Sequence, residues 1–297
     1  MMNNYEIIDG KQIASQIKQE IAAEVVKLLD AGQRVPHLVA VIVGEDGASL
    51  SYVASKEKQS KEVGFFSSVY RLSEAVSEKE LLQTIDFLNS DPEVDGFIVQ
   101  LPLPKHIDEQ KIINAIKPSK DIDGFNPSNV GRMMLGLPTY VPATPLGIKT
   151  LLERANVDTK GKHCVVLGRS NIVGTPVSIL MSRNEDHANC TVTLCHSKTE
   201  NIKDICLQAD ILIVAIGKPA FVTADMVKEG AVVVDVGIHR ISDSSEKGYK
   251  IVGDVDFEHV KDKCSKITPV PGGVGPMTIA SLLFNTFKAY RKDIYKD

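Results

Sequence analysis

Lys162-His163-Cys164-Val165-Val166-Leu167-Gly168-Arg169-Ser170-Asn171-Ile172-Val173-Gly174-Thr175-Pro176 is the stretch that decides the fold. Its apolar run closed by a glycine reads as a strand covered on both faces. A glycine turn follows, and residues 177–182 read as a helix. Strand, glycine turn and helix in this order form a dinucleotide corner, where backbone approaches a pyrophosphate held at the positive end of the helix. The spacing departs from G-x-G-x-x-G: Ser170 takes the place of the second glycine, and the last glycine comes one residue late. Further strands are expected over 191–195, 211–216 and 231–236, with a helix running through Cys206. This half therefore reads as a Rossmann-type domain with a parallel sheet.

The tip of the strand over 191–195 selects the nucleotide. An NAD site of this kind holds the ribose hydroxyls with an acidic residue there, whereas the chain has His196-Ser197-Lys198. With Arg169 in the preceding turn, the local charge suits a 2′-phosphate, so NADP is expected over NAD, although Arg169 also reads simply as a surface residue.

Working back toward the N-terminus, residues 10–30 carry apolar positions at helical spacing, and 37–43 is a continuous apolar run closed by Gly44. Residues 50–63 form a helix ended by Gly64, on which Tyr52 and Lys56 share a face while Lys58 and Lys61 point elsewhere. An aromatic plate beside an amine suits an enzyme that holds a flat heterocycle while moving a proton. By itself the pair equally describes a solvated helix face. Ser77 and Glu80 form a capping box for a helix over 77–89, and residues 96–101 read as a strand. With an apolar-rich stretch over 65–72 between the two helices, the order β-α-β-α-β makes this half a second parallel α/β domain. Gln100 and Pro102 then lie at the rim where such sheets bind ligands, although Pro102 and Pro104 also simply terminate a strand. Lys117 to Phe125 is a turn-rich loop containing Asp121 and Asp123. Pro142-Ala143-Thr144-Pro145 marks the crossing between domains, before a helix over 146–155. Residues 267–278 are too rich in proline and glycine for a strand or helix and are expected to form a shaped loop, followed by a closing helix from Ile279. The expected division is 1–145 and 146–278, with 279–297 packing back on the first domain.

Composition limits the function. A chain of 297 residues, 43% hydrophobic, has a large core and defaults to two domains, and a net charge of −4 disfavours nucleic acid as a partner. The opening ten residues lack the character of a secretory leader or an organelle presequence, and no apolar run is long enough to span a membrane. A soluble cytoplasmic protein is expected. Five cysteines without repeating spacing read as reduced, mostly buried thiols. Cys190, Cys195 and His196 lack a second ligand pair, so no metal site is expected.

Tyr52 to Lys56, Asp95 to Pro104, Lys120 to Phe125, Gly168 to Gly174 and Pro269 to Thr278 together resemble the signature motifs of the bifunctional methylenetetrahydrofolate dehydrogenase/methenyltetrahydrofolate cyclohydrolase family. The resemblance covers essentially the whole chain. It departs at Ala143, where many members carry cysteine, and over 183–189, which looks like a surface insertion. It implies a cleft between the domains in which 5,10-methylenetetrahydrofolate is oxidised with NADP and the methenyl product is hydrolysed to 10-formyltetrahydrofolate. By the same resemblance Lys56 moves the proton, Gln100 sits against it, and Tyr52 and Asp123 complete the catalytic set. Tyr52, Gln100, Pro102, Asp123, Gly275, Pro276 and Thr278 would contact the folate, and Gly168, Arg169, Ser170, Ile172, His196, Ser197 and Ile238 the cofactor. A cytoplasmic homodimer serving one-carbon metabolism and purine biosynthesis is also implied. Three rivals stand beside this reading: a monofunctional dehydrogenase, a different two-domain NADP-linked oxidoreductase, and a non-catalytic nucleotide-binding scaffold.

Overall fold

The computed structural model describes residues 5–244 and 248–296. Met1 to Asn4, at the head of the segment read for a leader, and Asp297, the end of the C-terminal segment, lie outside the described residues. The first strand, β1 (Glu6–Ile7), leads into α1 (Gly10–Asp30), which buries Ala14, Ile17, Ile21 and Val25, the three-and-four spacing of one helical face. Next come β2 (His37–Val43) and α2 (Gly47–Glu62). The Asp46 carboxylate caps α2 by accepting the Ser49 N–H at 2.8 Å, and Gly64 follows its end at φ +85°. The strand β3 (Phe66–Leu72) precedes α3 (Glu78–Ser90), which opens with the expected Ser77–Glu80 capping box. After β4 (Gly96–Val99) two short helices appear that apolar periodicity does not reveal, α4 (Glu109–Ala115) and α5 (Pro127–Met134). The sheet order β3-β2-β4 is parallel throughout.

The second half begins with α6 (Ala143–Arg154) and continues with β5 (His163–Leu167), α7 (Gly174–Ser182), β6 (Thr191–Cys195), α8 (Ile202–Cys206), β7 (Ile211–Val214) and β8 (Ala231–Asp235). An antiparallel hairpin of β9 (His239–Ser242) and β10 (Tyr249–Val252) precedes α9 (Phe257–Val260), β11 (Cys264–Ile267) and α10 (Val274–Tyr290). Six strands form a parallel sheet in the order β1-β11-β8-β7-β5-β6, with β8 and β7 central and the strand order reversing at β5, which lies between β6 and β7. That arrangement is a doubly wound α/β sheet. Its core includes Val165, Leu167, Leu212, Val214 and Val233, all fully buried.

The chain divides into two compact units, one of residues 16–143 with 279–297 and the other of residues 1–15 with 144–278. Residues 5–15 thus belong with the six-stranded sheet, not with the residues that follow them, because β1 pairs with β11 and the Ile8 N–H donates to the Ile267 carbonyl at 2.8 Å. The proline- and glycine-rich segment is also shorter than expected. Helix α10 starts at Val274, and Gly275-Pro276-Met277-Thr278 form its first turn, where proline lacks only an amide that has no partner within the helix. Residues 183–189, read as a surface insertion, close on themselves through the Asn189 N–H and the Arg183 carbonyl at 2.9 Å. They bury Ala188 fully, and Glu185 pairs with Lys149 of α6 at 2.7 Å. All five cysteines are buried free thiols. No described helix is long and apolar enough to cross a membrane.

Candidate active site

Helix α2 buries a stripe of Ser49, Val53, Lys56 and Ser60, continued by Val63 just past its end, and at its middle, where packing calls for an apolar residue, stands a lysine. Lys56 is 5% exposed. Its Nζ donates to the Gln100 Oε1 at 3.2 Å and lies 4.5 Å from the centroid of the Tyr52 ring. Gln100 follows β4, and its own amide donates to the Leu101 carbonyl at 2.6 Å, which fixes the side-chain oxygen toward the lysine. Burial pulls the Lys56 ammonium below its ordinary pKa, and the carboxylate of Asp123 opposes that shift. Asp123 shows the mirror image: burial pushes its carboxyl up while the lysine holds it down. Each group thus titrates nearer neutrality than it does in water, the condition a proton-transfer group must meet.

Asp123 stands on a turn built around its neighbour Asp121. Gly124 at φ +74° closes this turn, and a Cβ there would stand 2.8 Å from the Tyr140 carbonyl oxygen. Asp121 is buried and accepts the Asn126 N–H at 2.7 Å and the Asn129 Nδ2 at 2.8 Å, yet desolvation still pushes its carboxyl up to about 6. Pro102 follows a cis peptide bond beside Gln100. Tyr52, Lys56, Gln100, Pro102 and Asp123 therefore all belong to the unit of the three-stranded sheet, and Lys56 is in direct contact with Tyr52 and Gln100.

The remaining predicted residues belong to the other unit. Gly168 follows β5 at φ +115°, and a Cβ there would stand 2.0 Å from the Ala215 carbonyl oxygen; one on Gly174 would stand 1.8 Å from the Gly168 oxygen. Only glycine fits at either position, so the turn folds tightly between β5 and β7, at the reversal point of the sheet where such folds bind nucleotides. Helix α7 begins at Gly174, whose N–H donates to the Ser170 hydroxyl at 3.4 Å, while the Thr175 N–H donates to the Ser170 carbonyl at 3.1 Å. The Gly168 N–H donates to the Cys195 carbonyl at 2.9 Å, which brings the turn against the tip of β6 carrying His196 and Ser197. Ser170 accepts the Val173 N–H at 3.2 Å, and Ile172 is exposed. Arg169 is exposed and carries no ion pair or side-chain hydrogen bond among the described residues. Ile238, 63% exposed after β8, lies 3.5 Å from where a Cβ on Gly275 would stand, and the Thr278 and Thr144 hydroxyls are 3.0 Å apart.

Two buried acids that sequence reasoning misses hold this loop. Asp235 at the end of β8 accepts the N–H groups of Gly237, Asp254 and Val255, and burial nonetheless pushes it up to about 6. Asp254 accepts from Ile216, Gly217 and the His239 Nε2, the last at 2.6 Å. Asp235 closes a run of valines, and an acid in that position is a readable signal of an end-of-strand anchor.

Comparison with known proteins accounts for both units. Residues 8–123 match the catalytic domain, and residues 142–294 the NAD(P)-binding domain, of tetrahydrofolate dehydrogenase/cyclohydrolase. The chain belongs to that family. It is 60% identical to the bifunctional protein FolD of Porphyromonas gingivalis over 297 residues, all of both chains. Among solved structures it is similar to the FolD methylenetetrahydrofolate dehydrogenase/cyclohydrolase of Campylobacter jejuni, with 46% identity, TM-score 0.91, and 97% of this chain and 99% of that one covered. It is similar too to the Trypanosoma brucei enzyme complexed with NADP and inhibitor, at 36% identity, TM-score 0.92, and 98% and 99% coverage. As a member of the tetrahydrofolate dehydrogenase/cyclohydrolase family the chain is a bifunctional enzyme, a dehydrogenase and a cyclohydrolase in one polypeptide. The family match disfavours the three rival readings.

Proposed function

We propose that the enzyme oxidises 5,10-methylenetetrahydrofolate with NADP in preference to NAD, and hydrolyses the methenyl product with Lys56 as the proton-transferring group. The observation that carries this is a single amine buried in α2, hydrogen-bonded to Gln100 and shifted toward neutrality. NADP, when bound, accepts the hydride that leaves the methylene carbon. Water then adds to the methenyl carbon, and the bond from that carbon to N5 breaks. Lys56 takes a proton from the water and delivers one to N5 as the ring opens, with one proton released overall. Gln100 aims the amine, while Asp123 and Tyr52 hold the pterin and its aromatic extension; Pro102, Gly275, Pro276 and Thr278 complete the folate contacts.

The nucleotide preference is supported by Arg169, unpaired beside the tip of β6, where Ser197 stands in place of an acid. Gly168, Ser170 and Ile172 would line the pyrophosphate, His196 and Ser197 the adenosine end and Ile238 the nicotinamide. We assign the protein to the cytoplasm as a homodimer supplying 10-formyltetrahydrofolate for one-carbon metabolism and purine synthesis; β3, an edge strand with Phe66 exposed, suits pairing with a second copy. Calorimetric titration with each nucleotide tests the preference. Arg169→Ala should weaken NADP about tenfold or more while leaving NAD nearly unchanged, since only NADP offers the phosphate. Equal losses for both nucleotides would remove the assignment.

A further inference from the structure

Asn285, in the part of α10 that belongs to the same unit as Lys56, is 1% exposed, and no sequence motif singles it out. Its Nδ2 donates to the Ile122 carbonyl at 2.9 Å and to the Val141 carbonyl at 2.9 Å. Ile122 lies between the two aspartates, so one amide ties the turn carrying Asp123 to the neighbouring segment at Val141. The Ile122 side chain is fully buried, and a Cβ on Gly96 would stand 2.3 Å from its Cγ2, so the turn is seated on the strand that leads to Gln100. Asp121 is bridged to Phe97 on that strand, and the Phe97 N–H donates to the Lys120 carbonyl at 3.0 Å. From the other side Asp121 grips Asn126 and Asn129, and Asn129 in turn accepts from the Thr139 hydroxyl at 2.8 Å and from the Tyr295 hydroxyl near the C-terminus at 2.5 Å.

Apolar packing alone would hold such a turn in the core. A buried amide that places both of its bonds on either side of the turn, opposite a buried carboxylate, fixes the rotation of the backbone as well as its position. That rotation sets where the Asp123 carboxyl points relative to Lys56. We propose that Asn285 and Asp121 are positioning residues for Asp123, a two-sided clamp that orients its carboxyl toward the folate and Lys56. The inference rests on the assignment of Asp123 as a folate contact.

A double-mutant cycle tests it, using the dissociation constant of tetrahydrofolate by calorimetry, the KM for methylenetetrahydrofolate and the dissociation constant of NADP. Asn285→Leu keeps the branched heavy-atom shape and deletes both donors. With Asp123 present, folate binding should weaken about tenfold, the order expected for a displacement of a fraction of an ångström, while NADP binding stays unchanged. In the Asp123→Ala background the same substitution should change folate binding less than about twofold. Equal losses in both backgrounds, or a parallel loss of NADP binding, would show a purely structural role and overturn the proposal. Asp123→Ala binding tetrahydrofolate like wild type would instead remove Asp123 from the folate site, and the clamp with it. If Asn285→Leu does not fold, Asn285→Ser keeps one donor and runs the same cycle at smaller amplitude.

Discussion

The surroundings of Lys56 and of Gly168 use opposite means to prepare for a ligand. At Lys56 the fold buries an amine and a carboxyl, pushing both toward their neutral forms, so function resides in side chains whose size is unremarkable and whose ionisation is not. At Gly168 and Gly174 function resides in the absence of a side chain, because the backbone carbonyls of Ala215 and Gly168 occupy the space a Cβ would need. The first site should tolerate a change of shape better than a loss of chemistry, and the second the reverse.

The sharpest test is Lys56→Met, which keeps the apolar stem within the buried stripe of α2 and deletes the amine. Cyclohydrolase activity should fall on the order of a hundredfold or more. Hydride transfer requires no side-chain proton, so some dehydrogenase activity should remain and the methenyl absorbance should accumulate; wild-type hydrolysis by a folded variant would break the contrast. At the other site Gly174→Ala adds one carbon 1.8 Å from a carbonyl oxygen. It should destabilise the nucleotide-binding unit by about 3 kcal/mol in denaturant titration, with no lost functional group to explain it.

The two regions are not equally legible in sequence. The nucleotide corner is written locally: an apolar run, a glycine and a helix are contiguous, and their spacing specifies the turn. The Lys56 centre is assembled from α2, the end of β4 and the Asp123 turn, so its residues emerge through a family resemblance, while Asp121 is legible only as a carboxylate of that turn and Asn285 gives no signal. Asn285 sits among apolar residues in the last helix, and only the tertiary structure reveals that its amide meets two carbonyls. Helix α5 is legible yet easily missed: Asn126 caps it and Pro127 occupies its first turn, a familiar start signal hidden beside Asp123-Gly124. The first turn of α10 is misread when proline and glycine are counted against a helix irrespective of position.

Two further measurements refine the comparison at smaller amplitude. Asp121 has its folded pKa raised from 3.8 to about 6 by burial, so its contribution to stability is fully present below pH 4 and lost as pH rises through 6. That loss amounts to about 3 kcal/mol at most, from about 1.4 kcal/mol for each pH unit that separates the folded from the unfolded pKa. Asp121→Asn should flatten the stability profile between pH 4 and 6, and an unchanged slope would show that the acid is ionised without penalty. The smallest effect is expected at Gly131, exposed in α5, where an added Cβ meets nothing within 4 Å. Gly131→Ala should stabilise by about 0.5–1 kcal/mol, the usual gain in an open helical position. A loss there as large as that of Gly174→Ala would mean that close approach is not what distinguishes the nucleotide turn.

Strand β1 pairs with β11 across about 260 residues of sequence, Glu6 opposite Lys266. During synthesis the first strand made must wait for nearly the last, on the order of tens of seconds at ordinary translation rates. The three strands β2, β3 and β4 are all available long before that, and one sheet can form on the ribosome while the other still lacks its edge. A short deletion at the N-terminus would therefore injure the nucleotide-binding sheet, and a fusion there would burden the last pairing of the chain to be made.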